Sequence, residues 1–134
     1  MNSENGKAIE GLTPEDVWRH FAELSEIPRC SKKEAAVREW IVGLATEKGL
    51  DYTVDGTGNV VVRKPGSGSA ADRPGVALQA HTDMVCEKNA GTEHDFEKDP
   101  IRLVREGEWI RADKTTLGAD NGIAVAIMLA LLTG

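Results

Sequence analysis

Residues 78–85 read LQAHTDMV, an apolar run that carries His81 and, two positions later, Asp83. In an extended segment residues i and i+2 share a face, so the imidazole and the carboxylate stand side by side. A charge within a buried strand needs a hydrogen-bond partner or a metal ion. Two readings of the pair are open. It is a local His–Asp hydrogen bond, or it is a metal-binding imidazole whose second nitrogen is held by an acceptor, commonly a carboxylate. A further acid, Asp120, lies in LGADNG at 117–122, among small residues that allow close backbone approach. A carboxylate ahead of a helix is an N-cap worth about 1 kcal/mol, or it bridges two cations through its two oxygens.

Positioning these groups falls to the elements around them. Val76 to Ala80 is almost wholly apolar, the pattern of a strand covered on both faces. His81 and Asp83 then emerge at its C-terminal end, where open α/β sheets place their ligand sites. Leu117 to Gly122 reads as a turn into a final helix whose apolar run, Ile123 to Leu132, is ten residues long. Upstream, Thr13-Pro14-Glu15-Asp16 is a helix start with a capping hydroxyl, and Val17, Phe21 and Leu24 follow at helical spacing. Ser31 with Glu34 forms a capping-box pattern ahead of a second apolar face, Val37, Trp40, Ile41 and Leu44, stopped at Gly49. Tyr52 and Val54, the turn at 56–58 and Val60-Val61-Val62 predict strands, and residues 101–104 and 109–112 around Gly107 predict a hairpin. The chain is expected to be α/β.

Composition narrows the classes. A formal charge of -6 without a basic stripe speaks against a nucleic-acid surface, and the longest apolar run is too short to cross a membrane. The opening MNSENGKAIEG has no signal-peptide character, so a cytoplasmic location is expected. Cys30 and Cys86 lie in unrelated contexts and read as free thiols, not as a disulfide or a structural zinc site. No Gly-rich loop has the spacing of a nucleotide-binding domain. The last helix is apolar nearly all round and needs further layers to cover it, so the chain reads as the front part of a larger protein.

Taken in order, IPRCSKKE (27–34), DGTGNVVVRKPG (55–66), LQAHTDMV (78–85), HDFEKDPI (94–101) and EWIRADKTTLGADNGIA (108–124) resemble the aminoacyl-histidine dipeptidases. That family belongs to the co-catalytic zinc peptidases, together with carboxypeptidase- and aminoacylase-like enzymes. The resemblance implies that residues 1–134 are the N-terminal segment of a three-layer α/β/α catalytic domain with a mixed sheet. It makes His81 a zinc ligand, Asp83 the catalytic-centre carboxylate that orients that imidazole, and Asp120 the bridging ligand of two zinc ions, with a cis Asp120–Asn121 bond. Manganese or cobalt also suits such mixed N/O ligands. The implied substrate is a small peptide of the Xaa-His type, and the implied assembly is a homodimer through a lid domain. The general-base glutamate, the remaining ligands and the lid belong downstream of Gly134, so this chain alone is expected to be inactive and to bind metal weakly.

One departure is Lys114, where the family has glycine before Thr115-Thr116; a modest local backbone change is expected there. His94 matches a family histidine that is not a ligand, with loop hydrogen bonding as its expected role. His20 lies on an ordinary helix, Trp18, Trp40 and Trp109 are expected to pack, and Met84 to be core. The alternatives are a related deacylase or aminotripeptidase, or a catalytically silent binding or oligomerisation module.

Overall fold

The computed structural model describes residues Met1–Gly134. Its elements run α1 (Ser3–Ile9), α2 (Glu15–Ser25), α3 (Ala35–Glu47), β1 (Asp51–Val54), β2 (Val60–Arg63), β3 (Leu103–Glu106), β4 (Trp109–Ala112) and α4 (Ala119–Thr133). The chain is α/β, as expected. Its sheets are two antiparallel hairpins: β1–β2, in register from Asp51↔Arg63 to Val54↔Val60, and β3–β4, from Leu103↔Ala112 to Glu106↔Trp109. Gly107, at φ 62°, supplies the left-handed residue that the tight β3–β4 turn requires. In the β1–β2 loop the Asp55 carboxylate accepts from the backbone N–H groups of Thr57 and Asn59 and from both of their side chains. These bonds hold its carboxyl well below the usual carboxylate range.

Helices α2 and α4 pack against each other and divide the core between them. On one side Phe21 and Ala22 of α2 join Ala126 of α4, Ala8 of α1, Met84, Ile101, Leu103 and Ala112. On the other, Leu24 joins Val125 and Leu129 of α4 and Val37 and Ile41 of α3. Within α4, Gly122, Val125, Ala126 and Leu129 form one buried stripe at i, i+3, i+4, i+7. The opposite face stays in solvent, with Ile127 and Leu131 exposed. α1 was not expected from its polar residues. The Asn2 side chain caps it by accepting from the N–H groups of Glu4 and Asn5. Asn5 is buried and joins the helix to β3, donating to the Ile101 carbonyl at 3.1 Å and accepting from the Leu103 N–H at 2.8 Å.

Several expectations are corrected. Residues 76–81 form no ladder, and Val76 is 86% and Leu78 54% exposed. The mixed sheet is therefore not assembled within these residues. The nearest thing to a strand contact is a parallel bridge between Cys30 and Met84. Cys30 and Cys86 are not free thiols but a disulfide, with their Cα atoms 5.7 Å apart. Pro14 itself occupies the N-cap of α2, so the Thr13 hydroxyl does not cap it. The Ser31–Glu34 capping box is absent, since the Ser31 hydroxyl donates to Asp83 and Glu34 accepts from the Lys32 N–H. Trp109 stands in solvent instead of packing. The His94 ring lies edge-on to Phe96 with centroids 4.4 Å apart, and its buried Nε2 makes no hydrogen bond. Met84 is core, as expected.

Candidate metal centre

The segment after residue 80 is fixed to the body of the protein from one side. The Met84 N–H donates to the Arg29 carbonyl at 3.0 Å, and the Ser31 N–H donates to the Met84 carbonyl at 3.2 Å. The Cys30–Cys86 bridge closes the same pair of segments. Asp83 thereby faces Ser31, and the hydroxyl of Ser31 together with His81 holds the Asp83 carboxyl below its ordinary value.

Asp120 is placed by the entrance to α4. Gly118 adopts φ 75°, a left-handed conformation that glycine takes without penalty. Asp120 and Asn121 depart from helical angles, and the bond between them is cis. The carboxylate thus projects from the start of the helix without capping it: α4 has no side-chain cap hydrogen bond.

The structure brings the three residues singled out by type and spacing to one place. His81 Nδ1 lies 2.9 Å from Asp83 Oδ1, and His81 Nε2 lies 3.0 Å from Asp120 Oδ1. Ionised carboxylates only accept hydrogen bonds, so both contacts are made when both ring nitrogens carry protons. Asp120 first, and Asp83 after it, accordingly raise the pKa of His81 above its ordinary value. The cluster is open: the side chain of His81 is 52% and that of Asp120 95% exposed.

These donors fit a divalent cation. A proton on Nε2 is what a metal displaces, and the other nitrogen is already held by a carboxylate, the arrangement that sets a ligand histidine's tautomer. Zinc ligands at about 2.0–2.1 Å in a tetrahedral arrangement lie about 3.3 Å apart, close to the His81–Asp120 separation. Nowhere do three or more His, Cys, Asp or Glu gather in a set able to hold a metal ion. The chain offers two donors at this point, with Asp83 behind one of them.

A residue beneath the site carries no signal of its own in the sequence. Arg29, inside the IPRCSKKE block, is 1% exposed. It donates through Nη1 to the Thr82 carbonyl at 3.0 Å and through Nη2 to the Gly118 carbonyl at 2.9 Å. Burial pushes its pKa down to about 10. An arginine between Pro28 and Cys30 reads as a surface residue, and only the fold reveals it as interior.

No protein-family model matches the chain. It is 49% identical over 124 residues to the cytosol non-specific dipeptidase of Escherichia coli (strain K12), covering 92% of its own length and 26% of that protein's. It also matches the crystal structure of aminoacylhistidine dipeptidase from Vibrio alginolyticus with a TM-score of 0.91 and 48% identity, over 94% of this chain and 26% of that one. The chain spans about a quarter of the length of each. Over nearly all its residues it is similar in sequence to part of these two dipeptidases and shares the α/β fold of part of the solved one, the resemblance that its motifs carry.

Proposed function

We propose that residues 1–134 are the N-terminal segment of the catalytic domain of a cytosolic, metal-dependent dipeptidase that hydrolyses Xaa-His and related dipeptides. The observation that carries this reading is the meeting of His81, Asp83 and Asp120 at one open position, in a chain close to half identical to two dipeptidases. The name of the first relative supports the cytosolic assignment, and no helix is long and apolar enough to cross a membrane.

Each residue has a defined task. His81 presents Nε2 to the cation. Asp83 holds Nδ1–H, which fixes the tautomer and raises the basicity of the ring. Ser31 keeps Asp83 ionised and turned toward His81. Asp120 has two oxygens, and so can serve two ions at once. Zinc held by these residues would supply Lewis-acid polarisation of a scissile carbonyl and a more acidic water. Hydrolysis also needs a general base to take the proton of the attacking water. In this reading the base, the other ligands and a dimerising lid lie in further sequence, and the isolated chain is inactive.

The relatives differ in the breadth their names state, one an aminoacylhistidine dipeptidase and the other non-specific. A dipeptide panel distinguishes the two. The test uses the protein from its complete reading frame, stripped by chelator and reloaded with zinc. Hydrolysis that returns with zinc and is lost in Asp120→Ala supports the reading. Hydrolysis indifferent to chelator contradicts it. A protein without hydrolysis, and without loss of bound metal in Asp120→Ala, is the silent module.

A further inference from the structure

We infer that Arg29 is a positioning residue, a clamp whose single guanidinium holds the segment bearing His81 and Asp83 against the segment bearing Asp120. The inference rests on the metal-site reading and deepens it.

The His81–Asp120 contact joins two segments whose other direct links lie farther along both, at the Lys88–Thr115 bridge and where Thr116 bonds the backbone of Glu87 and Val85. Asp120 is almost fully solvated and no other residue bonds its carboxylate. Such an exposed contact, worth little on its own, does not hold two backbones in register. Arg29 reaches both backbones: Nη1 bonds the carbonyl of Thr82, between His81 and Asp83, and Nη2 bonds the carbonyl of Gly118, two residues before Asp120. The planar fork fixes the relative direction of its two donors, which an ammonium cannot do.

The surroundings are cut to fit this group. A Cβ at Gly118 would lie 2.5 Å from Arg29 Nη2 and 2.8 Å from Met84 Sδ, and a Cβ at Gly122 would lie 2.8 Å from Nη2. A side chain at either glycine would therefore collide with the guanidinium where it stands, and at Gly118 the left-handed backbone also favours glycine. Packing alone does not explain the choice. A buried charge carries a desolvation cost that an apolar side chain of similar volume avoids, and here Nε has no partner and the two bonded oxygens are neutral carbonyls. What the guanidinium supplies and an apolar residue cannot is a directed link between two loops.

The experiment uses the full-length protein with Arg29→Met and Arg29→Lys, read by zinc affinity against a chromophoric chelator, by kcat and KM, and by thermal midpoint. The clamp predicts zinc affinity weakened about 10–100-fold in both variants, at a temperature where each is folded, in the range seen when ligand-supporting contacts are removed. It also predicts a fall in kcat with KM nearly unchanged. A lowered midpoint with zinc affinity within twofold of wild type overturns it, since that is the result of a purely structural arginine. If Arg29→Met does not fold, Arg29→Lys decides by the same criteria. A wild type that binds no zinc overturns the metal reading instead. The 15N signals of the zinc-free His81 ring then decide the clamp: loss of the Asp120 hydrogen bond in Arg29→Lys supports it, and unchanged signals refute it.

Discussion

His81 Nε2 and Asp120 Oδ1, thirty-nine residues apart in the chain, stand 3.0 Å from each other. With Asp83 on the opposite nitrogen, the ring lies between two carboxylates. Both carboxylates favour the protonated ring, and in the proposed reading a cation at Nε2 would displace that proton.

Titration of the metal-free chain should show this directly. His81 titrates above its ordinary value near 6.5, and Asp120→Asn, which removes the largest cause, brings it back toward that value. Because the folded pKa is raised, the stability contributed by His81 is fully present below about pH 6.5 and is lost as pH rises through the folded value. Asp83 is shifted the other way, so its contribution is present above its ordinary value and is lost as pH falls through the depressed one. Ring 15N shifts against pH, in wild type and Asp120→Asn, check both the direction and the cause.

Asn5 provides a test away from the site. Its amide satisfies the Ile101 carbonyl and the Leu103 N–H, both in buried surroundings. Asn5→Ala leaves both unpaired and is expected to lower stability by about 2–4 kcal/mol in urea unfolding. A loss below about 0.5 kcal/mol would show that α1 contributes nothing to the β3 edge.

Lys114 holds φ 62°, the left-handed conformation glycine prefers, and its carbonyl accepts from the Asn89 N–H at 2.9 Å. Lysine here takes the backbone conformation that glycine adopts without penalty. Lys114→Gly is expected to stabilise by about 0.5–1 kcal/mol, less the added freedom of the unfolded chain, whereas Lys114→Val costs about 1–2 kcal/mol. Equal stabilities for the three proteins would contradict this.

The Cys30–Cys86 bridge spans a sequence separation of 56 residues. Protein prepared without reductant should expose no reactive thiol after denaturation, and two after reduction. Reduction should cost about 2–4 kcal/mol of stability. Two thiols without reductant would restore the reading from cysteine context, which is also what a cytosolic protein ordinarily shows.

The three site residues were legible because chemistry and local geometry coincide there: an H-x-D triplet on extended backbone, and an acid between glycines at a helix entrance. The helical faces of α2 and α3 and both hairpins were legible from periodicity and turn residues. The capping box was not, because the Ser31 hydroxyl turns to Asp83, and this tertiary contact prevails over the local one with the Glu34 N–H. Residues 76–81 have the composition of a covered strand, but composition does not supply a neighbour to pair with. Arg29 and the disulfide depend on long-range juxtaposition, to which spacing along the chain is blind.

The most direct test of a shared cation position is a zinc titration of the 134-residue chain, followed by the His81 ring nitrogens, in wild type and Asp120→Ala. The account predicts that Nε2 loses its proton and takes the shift of a metal-bound nitrogen, that Nδ1 keeps its proton toward Asp83, and that Asp120→Ala weakens zinc binding at least tenfold. A His81 ring indifferent to millimolar zinc, or one that responds equally with and without Asp120, would contradict it.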